Sequence, residues 1–83
     1  MIQFVPNQPL LTAGTRNRCK GMAGELMAKL TTTQVGRAGG GIVLHASLPH
    51  QHRFLVTPAS KARLTMYLED ACDCPVALHI AVE

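Results

Sequence analysis

The side chains able to ligate a metal fall mostly in close pairs. Cys72 and Cys74 form one pair, His50 and His52 another, while His45 and His79 stand apart. Zinc accepts such ligands, but its usual signatures place two or more residues between paired donors. Residues two apart point to one side only in a strand, so His50 and His52 converge only if both are strand-like. The simpler expectation is that these two are solvated turn residues and that Cys72 and Cys74 finish a helix with one thiol packed inward. No metal ligand set is assigned, and a small zinc-stapled domain stands as the third reading of the chain.

A second group is cationic. Arg16, Arg18 and Lys20 lie where a first helix should begin, and Lys61 and Arg63 near the start of a second. A helix N-terminus carries partial positive charge and spare N–H groups, so cations there are mildly unfavourable unless an anion relieves them. Glu69, Asp70 and Asp73 near the end of the second helix oppose the dipole again. If the two starts share one side of the domain, Arg16, Arg18, Lys20, Lys61 and Arg63 form a basic edge suited to phosphate, nucleic acid or an acidic protein surface. The formal charge of +3 is polarised along the chain: up to Arg37 five basic residues face one acid, and beyond it three face four. Each misplaced charge at an exposed helix end costs only a few tenths of a kcal/mol, so a solvated basic face explains the pattern equally.

Catalytic chemistry is hard to assemble. The glycine-rich stretch 36–41 lacks a following Lys-Ser or Lys-Thr and opens no helix, so it is not a phosphate loop. No nucleophile sits in a recognisable elbow, and three of the acids cluster at a helix end. The expectation is a non-enzymatic protein that uses no cofactor.

The elements that position these groups follow from apolar period and punctuation. Residues 2–5 read as a short strand ended by Pro6 and Pro9, with a loop to Gly14. Cys19, Met22, Ala23, Leu26, Met27 and Leu30 recur at helical steps, predicting a first helix over 15–30 with Gly21 and Gly24 inside it. Residues 31–35 have β character, and 36–41 is either a loop or the turn of a hairpin begun by 31–35. Residues 42–48 alternate as a strand, 49–51 turn, and 52–57 read as a further strand. Thr57-Pro58 caps a second helix with a stripe of Leu64, Tyr67, Leu68 and Ala71, and Pro75 stops it at or before Cys74. Residues 76–82 form the last strand, with Val76, Leu78, Ile80 and Val82 inward.

The order strand, helix, strand, strand, helix, strand is that of a small split βαβ (ferredoxin-like, βαββαβ) domain: α+β, with two helices on one face of an antiparallel sheet. All 83 residues make one domain, 1–83. Its core is aliphatic, since Phe4, Phe54 and Tyr67 are the only aromatics. On the other sheet face the reading places Val43, His45, Ser47, Arg53, Leu55, Ala77, His79 and Ala81. With no aromatic on the central strands, base stacking is disfavoured there. A half-apolar, weakly charged face suits a protein partner or a homodimer, with Val43, His45, Arg53, Leu55 and His79 as its contact residues. No apolar run reaches the roughly 20 residues that span a bilayer, so no membrane role is expected. The cysteines are odd in number, and Cys72 and Cys74 are too close to bridge comfortably, so reduced thiols of a cytoplasmic protein are expected. The function read from the sequence is a protein that docks on a protein partner, an inhibitor or accessory factor. A nucleic-acid-binding module using the basic edge is the alternative.

Overall fold

The computed structural model of the chain describes residues 3–4 and 18–83. Among the described residues the elements are those of an α+β architecture, with helices Gly21–Lys29 and Pro58–Cys72 on one face of a mixed sheet. In chain order the elements are β1 (Gln3–Phe4), α1 (Gly21–Lys29), β2 (Thr31–Ala38), β3 (Gly41–Leu48), a 3₁₀ helix (His50–Leu55), α2 (Pro58–Cys72) and β4 (Val76–Val82). The expected strand over 2–5 is the short β1, and the loop to Gly14 lies outside the described residues.

The hairpin reading of 31–41 is the one adopted. β2 and β3 are antiparallel, with Ala38 opposite Gly41 around a two-residue turn at Gly39–Gly40. β3 alternates strictly, placing Ile42, Leu44, Ala46 and Leu48 in the core. β4 lies parallel to β3, from Ile42 opposite Val76 to Leu48 opposite Val82. Gly41 makes the start of that pairing possible. A Cβ at Gly41 would lie 2.6 Å from the Pro75 carbonyl oxygen, the same oxygen that accepts the Ile42 N–H at 2.8 Å.

The sheet order is β1-β2-β3-β4. This corrects the expected topology: the strands are sequential instead of interleaved, and the last pair is parallel. The physical reason is that β3 has two edges and both are taken, one by the β2 hairpin and the other by β4. Neither edge of β3 remains for the expected strand 52–57 to pair with. That segment winds as a 3₁₀ helix instead, with His52 N–H bonded to Pro49 C=O at 2.9 Å and Val56 N–H to Arg53 C=O at 3.1 Å. Its apolar alternation misleads because Leu55 is the residue driven into the core, at 2% exposure, while Phe54 stands 65% exposed. A parallel neighbour cannot be reached by a tight turn, and α2 supplies the crossover between β3 and β4.

α1 starts later than its periodicity implies. Gly21 has φ +62°, which interrupts helical winding, and Lys20 before it is extended. Buried Cys19 therefore precedes the helix, while Met22, assigned to the inner stripe, is 45% exposed. Ala23, Leu26 and Met27 form the actual buried face. Gly24 is tight: a Cβ there would lie 2.7 Å from the Cys19 carbonyl oxygen, so the chain preceding α1 folds directly against the helix.

α2 has the sequence-predicted start. Thr57 is the N-cap, Pro58 opens the helix, and Thr57 and Ser60 form a reciprocal capping box. Leu64 and Leu68 are buried and Tyr67 half-buried, while Ala71, expected in the stripe, is exposed. The helix ends at Asp73, a left-handed residue with φ 55°. One continuous core joins α1, the inner faces of β2, β3 and β4, Leu55 and α2. Among the described residues no helix is long and apolar enough to cross a membrane.

Candidate functional site

The sheet face opposite the helices is built by the register of β3 and β4. Parallel pairing sets Val43 opposite Ala77, His45 opposite His79 and Ser47 opposite Ala81, three consecutive rungs of one face. The β3 members are half-buried and the β4 members exposed. β2 continues the face with Gln34 opposite His45 and the buried Gly36 opposite Val43. None of these positions is a lysine, arginine, aspartate or glutamate. The imidazoles of His45 and His79 stack with ring centroids 4.9 Å apart and planes 18° from parallel. The stack fixes two large flat side chains in the middle of three β3–β4 rungs otherwise made of small ones.

Two residues assigned to this face are not on it. Leu55 is in the core, and Arg53 lies on the 3₁₀ helix with its Nη1 donating to the His50 carbonyl at 3.3 Å. Both follow from the absence of the expected strand. Val43, His45 and His79 lie where the sequence reading put them, brought together by a parallel pairing that it did not contain.

On the helix side a cleft of about 570 Å³ opens between the two helix starts. Lys20, Met22 and Ala23 line one wall, and Ala59, Ser60, Arg63 and Tyr67 the other. Of the expected basic edge, Lys20 and Arg63 share this cleft. Arg18 and Lys61 are exposed and do not line it, and Arg16 lies outside the described residues. Among the described residues no carboxylate lines the cleft. Ser60 is 4% exposed and its hydroxyl is fully engaged: it accepts the Thr57 N–H at 2.9 Å and donates to the Leu55 carbonyl at 2.6 Å. It therefore caps the helix and is not presented as a nucleophile.

The acidic end of α2 is partly structural. The Glu69 carboxylate accepts the Val76 N–H at 3.0 Å and ties the helix to the first residue of β4. Sequence reading saw a charge opposed to the helix dipole; the compensating donor comes seven residues later and only after the chain has turned. That turn also overturns the expectation for the cysteines. With Asp73 left-handed, the Cα atoms of Cys72 and Cys74 are 5.3 Å apart, inside the range a disulfide spans, and the two sulfurs are bonded. Cys19 is the free cysteine. Its Sγ lies 3.4 Å from Met27 Sδ, and burial raises its thiol pKa. Among the described residues no group of three or more His, Cys, Asp or Glu is placed to hold a metal ion. The histidine pairs explain this: His45 and His79 stack on the sheet, while His50 and His52 sit on the 3₁₀ helix.

Compared with known proteins, the chain matches no protein-family model, no curated protein and no solved structure.

Proposed function

We propose that this chain is a non-enzymatic docking module, an inhibitor or accessory factor that binds a protein partner through the β3–β4 face. One observation carries the reading: three adjacent rungs present small, uncharged side chains around the His45–His79 stack. Such a surface is cheap to desolvate, since it holds no ionised lysine, arginine or carboxylate to strip of water. The stack supplies a flat, pre-ordered centre that costs little side-chain entropy on binding. Ala77 and Ala81 are exposed and short, so a partner can approach the backbone closely.

The test is a paired capture from the native host, using the wild-type chain and the Ala77→Glu/Ala81→Glu variant at two salt concentrations. The expected result is a protein held by the wild type at both salts and lost with the variant. Recovery of the same protein by the folded variant sinks the reading.

A nucleic-acid module remains the second reading, favoured by one placement: Lys20 and Arg63 line the same cleft at the two helix starts. Each phosphate neutralised on duplex DNA contributes a slope of about −0.9 in log affinity against log salt, so two contacts give roughly −1.8. Lys20→Glu/Arg63→Glu should then abolish binding, and unchanged binding removes this alternative.

A further inference from the structure

A different surface, the outer edge of β4, carries an inference of its own. The ladder with β3 fixes which way each β4 residue turns its backbone. Ile42 N–H bonds Pro75 C=O at 2.8 Å at one end, and Glu83 N–H bonds Leu48 C=O at 2.9 Å at the other. Both contacts use odd-numbered residues on the β4 side. The even ones, Val76, Leu78, Ile80 and Val82, therefore turn their N–H and C=O groups away from β3. β4 is the last strand of the sheet among the described residues, so these groups form its edge. The Val76 N–H is already taken by Glu69. Among the described residues, Leu78, Ile80 and Val82 are left with both backbone groups outward and no partner strand.

Soluble proteins usually blunt such an edge with charge, proline or a bulge. β4 has none of these: it reads Val-Ala-Leu-His-Ile-Ala-Val and pairs with β3 without a register shift. We propose that the edge is covered by β4 of a second copy of this chain, antiparallel across a two-fold axis at Ile80. The three free residues are self-complementary under that operation. Ile80 faces Ile80 of the second copy, and Leu78 faces its Val82, so each free N–H meets a free C=O. Glu69 sets the register. An axis at Leu78 would bring Val76 into the pairing, where the carboxylate already occupies its N–H. The same alignment extends the core. Leu78 is buried, Ile80 half-buried and Val82 44% exposed, all on the helix side of the sheet, and pairing closes Leu78 over the exposed valine of the other copy. Cross-strand apolar pairs of this kind are the unit of sheet stabilisation.

Amide hydrogen exchange combined with mass measurement across a concentration series tests the proposal, on the wild type and on Val82→Lys. The expected result is a mass that doubles with concentration, together with slow exchange at Leu78, Ile80 and Val82 that appears only in the dimer. Val82→Lys should lose both, while the amides of Ala77, His79 and Ala81, held by β3, stay slow and show that the fold is intact. A monomer up to millimolar concentration overturns the proposal. So does a dimer in which Leu78 and Ile80 exchange freely, which would place the contact elsewhere, for instance on the β3–β4 face.

Discussion

Replacing Ser60 by alanine removes one oxygen that serves two backbone groups. The Thr57 N–H loses its acceptor at 2.9 Å, and the buried Leu55 carbonyl loses its donor at 2.6 Å. Loss of a cap contact costs about 1 kcal/mol, and leaving a buried carbonyl unpaired costs a similar amount. The expected destabilisation is therefore about 2 kcal/mol. In a domain of this size that lowers the melting temperature by roughly 8–16 °C, at about 4–8 °C per kcal/mol. Thr57→Ala removes the acceptor of the Ser60 N–H, at 3.0 Å, together with the hydroxyl that donates to Ser60 Oγ at 3.1 Å, and should cost about 1 kcal/mol. Because both residues belong to one network, the double variant should lose less than the sum of the two. Denaturant unfolding followed by circular dichroism measures all three variants. A Ser60→Ala protein within about 0.5 kcal/mol of wild type, the ordinary scatter of surface substitutions, would refute the argument that this hydroxyl anchors the start of α2.

Gly41→Ala should cost about 2 kcal/mol, as overpacking does, because its Cβ would lie 2.6 Å from the Pro75 carbonyl; an unchanged denaturation midpoint would contradict the close approach. Thiol titration of the unreduced protein should find one reactive group in denaturant, Cys19, and finding three would show that Cys72 and Cys74 are not joined. Burial raises the Cys19 pKa, so the stability of its neutral form is complete below the unfolded value of 9.0 and is lost as pH rises through the folded one. The wild type should thus lose stability above about pH 9.0 more steeply than Cys19→Ala, as read from melting temperature against pH. Leu64→Ala, at a fully buried site on α2, should cost about 2–5 kcal/mol in the same unfolding experiment, and a smaller loss would place α2 off the core.

Where side chains act on their own neighbourhood, the sequence was enough. Thr57, Pro58 and Pro75 bracket α2 through cap chemistry and a missing N–H, both properties of adjacent residues. The alternation of 42–48 specified a half-buried strand, because one face of a sheet either meets the core or does not. Val43, His45 and His79 were legible as face residues for the same reason. Partnership was not legible. Hydrogen-bonding edges carry no side-chain signature, so nothing in residues 52–57 showed that both edges of β3 were already taken, and their apolar spacing fitted a strand as well as a 3₁₀ turn. Tertiary structure alone set β4 parallel to β3 and thereby stacked His45 on His79. It also brought Lys20 and Arg63 to one cleft, turned Cys72 toward Cys74 at a left-handed Asp73, and gave Glu69 the Val76 N–H. Each of these depends on two segments meeting in space, a free-energy comparison among whole topologies that no local pattern records.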